Sequence, residues 1–242
     1  MTEHLQGKIA IITGGGTGIG QGIARAFSRN GIKVVICGRR LEKLIATCDD
    51  IVKEGFEATA VQADVSRIED VERIVKATLD AYKRIDVLVN NAGIGGSGPV
   101  HAHQISVWDQ VMNINLYGPF LMTRAVLPYM REQESGHIFN ISSESGLEYY
   151  SGNGAYGVSK HALNAFSEYI QRENQDKNIR VNTICPGMVV TEMTEDSPGL
   201  DHSKCLYPED IAELVLWLLS RRSNIKIGTP ILIQTMLNPW DD

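Results

Sequence analysis

Short apolar runs of strand length alternate along this chain with longer stretches in which apolar residues return every three or four positions. Residues 8–13 form the first run, and helical spacing follows at Ile19, Ile23 and Phe27. The second run, 32–37, gives way to Leu41, Leu44, Ile45, Cys48, Ile51 and Val52, a helix that Gly55 ends. A third strand is expected at 56–62, then a helix carrying Ile68, Val71, Ile74, Val75 and Leu79, then a fourth strand at 86–90. A long helical region runs from 106 towards Met130, where Pro119 and Pro128 are expected to kink or interrupt it. Strands at 137–142 and 179–184 flank a helix reaching about Asn174, and Ile211, Leu214, Val215 and Leu218 mark another before a last strand at 230–234. Ser66-Arg-Ile-Glu69 and Ser106-Val-Trp-Asp109 read as capping boxes at two helix starts. Proline at N1 and acids in the first turn open the helix at Pro208.

Strands alternating with helices from end to end predict an α/β fold, a doubly wound parallel sheet of about seven strands with helices on both faces. No linker, repeat or low-complexity stretch divides the chain, so a single domain over residues 1–242 is expected. The polar stretch 191–207, with Pro198 and Gly199 and no clear period, is long for a connection and reads as a lid or binding loop.

Composition narrows the partners. A net charge of −6 argues against nucleic acid as the main partner, which usually needs a basic face. No apolar run approaches about 18 residues, so no membrane partner is expected. The N-terminus lacks the basic-then-apolar order of a signal peptide, and Cys37, Cys48, Cys185 and Cys205 show no C-x-x-C or disulfide-like rhythm. A cytoplasmic location is the expectation. His101-Ala-His103 has no third ligand nearby, so no metal is expected. Cys185 beside Pro186 reads as a small buried residue, and Tyr149, Tyr150 and Trp217 as core or pocket lining.

The first strand runs into Gly14-Gly-Gly-Thr-Gly18-Ile-Gly20, five glycines within seven residues, at the start of a helix. Strand, glycine turn and helix place backbone N–H groups and a helix N-terminus around a phosphate. Glycine suits the sharp turn and the close approach of backbone to ligand. About 20 residues after such a loop, an acid would bind an adenosine ribose 2′-OH, whereas an arginine accommodates a 2′-phosphate. Arg39 and Arg40 fall there, and no carboxylate does until Glu42, which favours NADP over NAD.

Tyr156-Gly-Val-Ser-Lys160 carries the remaining chemistry. On a helix, residues four apart share a face about 5–6 Å apart at Cβ. A cation about 4 Å from a phenol, at an effective dielectric near 20, is worth about 4 kcal/mol. That is enough to lower a tyrosine pKa by about three units, towards neutrality. Ser143, just past the fifth strand, adds a neutral hydrogen-bond donor. The glycine loop, Asn90, Ser143 and Pro186 all fall at carboxyl ends of strands, the edge where such sheets bind ligands.

These motifs, in this order, resemble the short-chain dehydrogenase/reductase family over nearly the whole chain, which implies a Rossmann-type fold. Thr13-Gly14-x-x-x-Gly18-Ile-Gly20 is similar to its cofactor loop, so Gly14, Thr17, Gly18, Ile19 and Gly20 are candidate cofactor contacts. Asp64-Val65 resembles its adenine contact, Asn90-Asn91-Ala92-Gly93 its fourth-strand motif, and Pro186-Gly187 with Val189 and Thr191 its nicotinamide-side motif. Asn115, Ser143, Tyr156 and Lys160 match its catalytic tetrad. The resemblance implies that Ser143 hydrogen-bonds a substrate carbonyl and that Tyr156 donates the proton in reduction or accepts it in oxidation. Lys160 would hold the nicotinamide ribose and lower the tyrosine pKa, and Asn115 would anchor a water in a proton relay. NADPH-dependent reduction of a ketone or aldehyde is the implied activity, and a homodimer or homotetramer the implied assembly. The ending, Ile231-Leu-Ile-Gln-Thr-Met-Leu-Asn-Pro-Trp-Asp-Asp242, departs from the Asp-Gly-Gly tail of many members.

Two other functions stay open at this point. A non-catalytic NADP-binding sensor or scaffold would not need Ser143, Tyr156 and Lys160. A methyltransferase on a similar sheet would want an acid ending the second strand, where Gly38-Arg39 stands. Within reduction, 3-oxoacyl thioesters, sugars and polyols, steroids and small or aromatic ketones are all compatible, and Glu144 and Glu148 disfavour an anionic substrate.

Overall fold

In the computed structural model residues 3–240 are described, and the two residues at each end of the domain expected over 1–242 lie outside them. Strands β1 (Ile9–Thr13), β2 (Lys33–Gly38), β3 (Ala58–Gln62), β4 (Val87–Asn90), β5 (Gly136–Ile141), β6 (Ile179–Pro186) and β7 (Ile231–Ile233) form one sheet of seven strands, in the order β3-β2-β1-β4-β5-β6-β7. Every neighbouring pair is parallel. The helices are α1 (Gly18–Arg29), α2 (Leu41–Lys53), α3 (Ile68–Tyr82), α4 (Ile105–Met112), α5 (Gly118–Glu132), α6 (Gly154–Asn174) and α7 (Pro208–Leu219).

Successive strand residues point to opposite faces, and both faces are covered. Ala10, Ile12, Val34 and Ile36 pack with Ile23 and Phe27 of α1, Leu44 and Ile51 of α2, and Ile211 and Val215 of α7. Ile11, Val35 and Cys37 pack on the other side with Val71 and Ile74 of α3, Leu121 and Val126 of α5, and Ile170 of α6. Burial on both faces is why these strands read as continuous apolar runs. The chain steps outward from β1 to β3 and then returns to set β4 against the free side of β1. The order therefore reverses between β1 and β4, which opens a crevice at their carboxyl ends.

Three local expectations are corrected. The Ser66–Glu69 capping box does not form, because α3 begins at Ile68 with no side-chain cap. The N–H and hydroxyl of Ser66 both donate to Asp64 Oδ1, at 2.9 and 2.6 Å, which turns the serine back towards Asp64. Ser106 cannot cap either, since α4 starts one residue earlier, at Ile105. The long helix from 105 to 132 is interrupted by neither proline: Pro119 sits in the first turn of α5, and α5 runs through Pro128. The break is a π turn, Asn113–Tyr117, a feature often found at functional sites.

The segment 191–207 is tied at both ends, with Val190 N–H donating to Leu206 O and Leu206 N–H donating to Met188 O. Asp210 of α7 accepts from the Tyr207 N–H at 2.7 Å, which fixes the segment's exit into that helix. Among the described residues no helix is long and apolar enough to cross a membrane.

Candidate active site

The crevice between β1 and β4 is held by Thr13. Its buried Oγ1 accepts the N–H groups of Asn91 at 3.0 Å and Ala92 at 2.9 Å, while Asn91 Nδ2 donates back to Thr13 O at 2.9 Å. The glycine loop turns directly above. Gly14 and Gly18 have φ of +67° and +53°, the left-handed region that glycine enters freely. Gly20 serves close packing: a Cβ there would stand 2.4 Å from both Asn91 Nδ2 and Gly14 O. No side chain caps the N-terminus of α1 and no acid lies in its first turn, so its amides are left for an anion.

This loop forms one end of a cleft of about 540 Å³. Every predicted site residue lines that cleft except Gly20 and Asn115, which stand behind its wall. Asp64 and Val65 line the same end as the arginines, but Asp64 Oδ1 is engaged by Ser66. Arg40 Nη2 meets Glu192 at 2.6 Å, and Lys43 Nζ meets the other oxygen of the same carboxylate at 3.0 Å.

The far end is built by β5, β6 and α6. Ser143 follows β5, and its Oγ accepts the Ser145 N–H at 3.1 Å. Tyr156 and Lys160 lie one turn apart near the start of α6. Burial pushes the Tyr156 phenol above its ordinary value, and a hydrogen bond from Ser143 draws it back down. This direction is opposite to the lowering expected from Lys160. The ammonium lies over the phenol ring, 5.4 Å from its centroid. Lys160 itself is 4 % exposed. Its Nζ donates to Ile141 O at 2.9 Å, and burial pushes its pKa down to about 8.

Asn115, carried inward by the π turn, grips the Ile94 peptide. Oδ1 accepts the Ile94 N–H at 2.9 Å, and Nδ2 donates to Ile94 O at 2.9 Å and Ser159 Oγ at 3.2 Å. One lone pair of Oδ1 is left. A Cβ on Gly93 would stand 3.4 Å from that Oδ1 and 3.6 Å from Lys160 Nζ, so both groups border the space in front of Gly93.

Some residues fall elsewhere. Tyr149 is 87 % exposed and stacks on His161 at 4.8 Å, outside the cleft lining. Trp217 is neither core nor pocket; it is half-exposed and carries Arg221 over its ring. Cys185 is buried, and burial pushes its thiol up. His103 packs edge-on against Trp108, and no group of three or more metal-ligating side chains occurs among the described residues. Sequence reasoning passed over Ser159, Lys43 and Glu192, and it quoted Thr13 only as the first residue of the glycine-loop motif. Thr13 left a trace as the one polar residue ending an apolar strand. The Glu192 contacts span about 150 positions and left none.

Residues 8–199 match the family described as short chain dehydrogenase. An uncharacterized oxidoreductase of Staphylococcus aureus strain MRSA252 is 33% identical over 224 residues, 93% of this chain and 96% of that one. An alcohol dehydrogenase from the archaeon Thermococcus sibiricus, complexed with 5-hydroxy-NADP, is similar with a TM-score of 0.88 and 27% identity, over 97% of this chain and 98% of its own. A metagenomic short-chain oxidoreductase in complex with NADP gives a TM-score of 0.84 and 33% identity, over 96% and 99%.

Proposed function

Because this chain belongs to the short chain dehydrogenase family, we propose that it is an NADP-dependent oxidoreductase reducing a ketone or aldehyde to an alcohol. One observation carries this reading: Ser143, Tyr156 and Lys160 line the same cleft as the glycine loop. The chain's residues fit a dinucleotide. The uncapped start of α1 would take the pyrophosphate, Arg39 and Arg40 a 2′-phosphate, and Asn91, Pro186, Gly187, Val189 and Thr191 the nicotinamide half. Lys160, a buried ammonium with one carbonyl on its three donors, favours an incoming acceptor such as a ribose hydroxyl.

When bound, the nicotinamide supplies the hydride, and the protein supplies position and proton. Ser143 would donate to the substrate carbonyl and stabilise the charge growing on its oxygen. Tyr156 would hand over its proton, and a phenol kept protonated by burial suits that role as a general acid. Lys160 and the free lone pair of Asn115 Oδ1 would border a water path that reprotonates it. The alternative, a non-catalytic NADP sensor, gives Ser143 and Tyr156 no purpose. A homodimer or homotetramer belongs to the same reading, supported by exposed Ile105, Trp108, Tyr117 and Phe120 along α4, the π turn and the start of α5.

The test is loss of NADPH absorbance against a panel of ketones and aldehydes. Consumption tied to alcohol formation is expected. NADPH binding without turnover of any carbonyl would return the sensor reading.

A further inference from the structure

Glu144 follows Ser143 directly, and none of the roles above uses it. It lies in the wall of the cleft, half-buried, at the start of the short turn Glu144–Gly146. Its Oε2 rests over Gly187: a Cβ there would stand 3.2 Å away, so the missing side chain of Gly187 makes room for the carboxyl. This puts an acidic oxygen against the Pro186–Gly187 turn, in the cleft that Ser143 and Tyr156 also line. Burial pushes the Glu144 carboxyl up, the neighbouring Glu148 adds to that, and among the described residues no lysine or arginine acts on it. A carboxyl has acceptor capacity on both oxygens. In a cleft wall that capacity is offered to whatever sits beside Ser143.

Resting on the carbonyl-reduction reading above, we propose that Glu144 selects the substrate: a ketone or aldehyde bearing a hydroxyl on the carbon next to the carbonyl. The hydroxyl donates to Glu144 while Ser143 and Tyr156 engage the carbonyl oxygen. A carboxylate in the same position meets the acidic oxygen of Glu144 and is refused. A plain alkyl group there leaves the acidic oxygen unpaired, which a site built for hydrogen bonding penalises heavily.

The experiment compares the wild type, Glu144→Gln and Glu144→Leu. It measures NADPH-dependent kcat/KM for hydroxyacetone, butan-2-one and pyruvate. It also measures calorimetric binding of propane-1,2-diol and butan-2-ol to the protein with NADP bound. The wild type is expected to favour hydroxyacetone over butan-2-one by about tenfold or more and to refuse pyruvate. Glu144→Leu should bring the hydroxyl preference close to unity. Glu144→Gln keeps an acceptor without the charge, so it should retain the hydroxyl preference while relaxing the refusal of pyruvate. An unchanged preference in Glu144→Leu overturns the proposal. Glu144-dependent diol binding with no ketone turned over would uphold the assignment of Glu144 and sink the reductase reading instead.

Discussion

Glu192 reaches over the cleft to Arg40 at 2.6 Å and shares its second oxygen with Lys43 at 3.0 Å. A carboxylate therefore already sits on two of the cations nearest the ribose end. A 2′-phosphate entering that end competes with it. Exposed ion pairs are worth about 0.2–1 kcal/mol, so Glu192→Gln should tighten NADPH relative to NADH by up to about fivefold. Fluorescence titration with both cofactors measures this. Weaker NADPH binding in the variant would instead make Glu192 a strap that holds the nucleotide in place.

Arg39 lines the cleft immediately after β2, with only its backbone carbonyl tied, to Gln62 at 3.0 Å. The wild type should bind NADPH more tightly than NADH. Arg39→Ala should cut that preference by about tenfold or more, because charge-assisted hydrogen bonds to phosphate are the strong ones. Equal affinity in the wild type, or a preference for NADH, contradicts the NADP reading.

Lys160 makes stability depend on pH in a definite direction. Its pKa falls from 10.5 to about 8 on burial, so below pH 8 both folded and unfolded chains hold the proton and the burial penalty is fully present. Between pH 8 and 10.5 the unfolded chain binds more protons, and stability rises with pH. Relative to Lys160→Met, which cannot titrate, the wild type should gain up to about 3 kcal/mol across that window. Urea midpoints for both proteins at stepped pH check this. A constant difference would mean the ammonium is not desolvated as described.

Thr13 joins β1 to β4 through one oxygen. Thr13→Val keeps the shape but removes the acceptor of the half-buried Asn91 and Ala92 N–H groups. A fully buried orphaned donor costs about 1–3 kcal/mol, so a loss of about 1 kcal/mol or more is expected in urea unfolding for this half-buried pair. A change near zero would show that the amides find another partner.

The fold was legible because doubly covered strands leave an unmistakable apolar rhythm, and residues such as Ile11 and Ile12 serve opposite faces of one sheet. Most of the cleft was legible too, since its wall comes from the carboxyl ends of strands and these can be counted along the chain. What failed depended on local competition. Ser66 had a charged acceptor two residues away, and a capping-box pattern does not register it. The helix break fell at Asn115 and not at a proline, because a π turn is set by what its residues grip, here Ile94. The tyrosine's shift had the opposite sign because spacing on a helix gives proximity but not burial, and burial is the largest influence on Tyr156.

The central claim is that Tyr156 delivers the proton in a carbonyl reduction carried out in this cleft. It is tested most directly by single-turnover NADPH oxidation with an accepted ketone, comparing the wild type with Tyr156→Phe and measuring NADPH affinity in both. The account predicts turnover reduced by about a thousandfold or more with NADPH affinity within about threefold of the wild type. Turnover by Tyr156→Phe at the wild-type rate would contradict it.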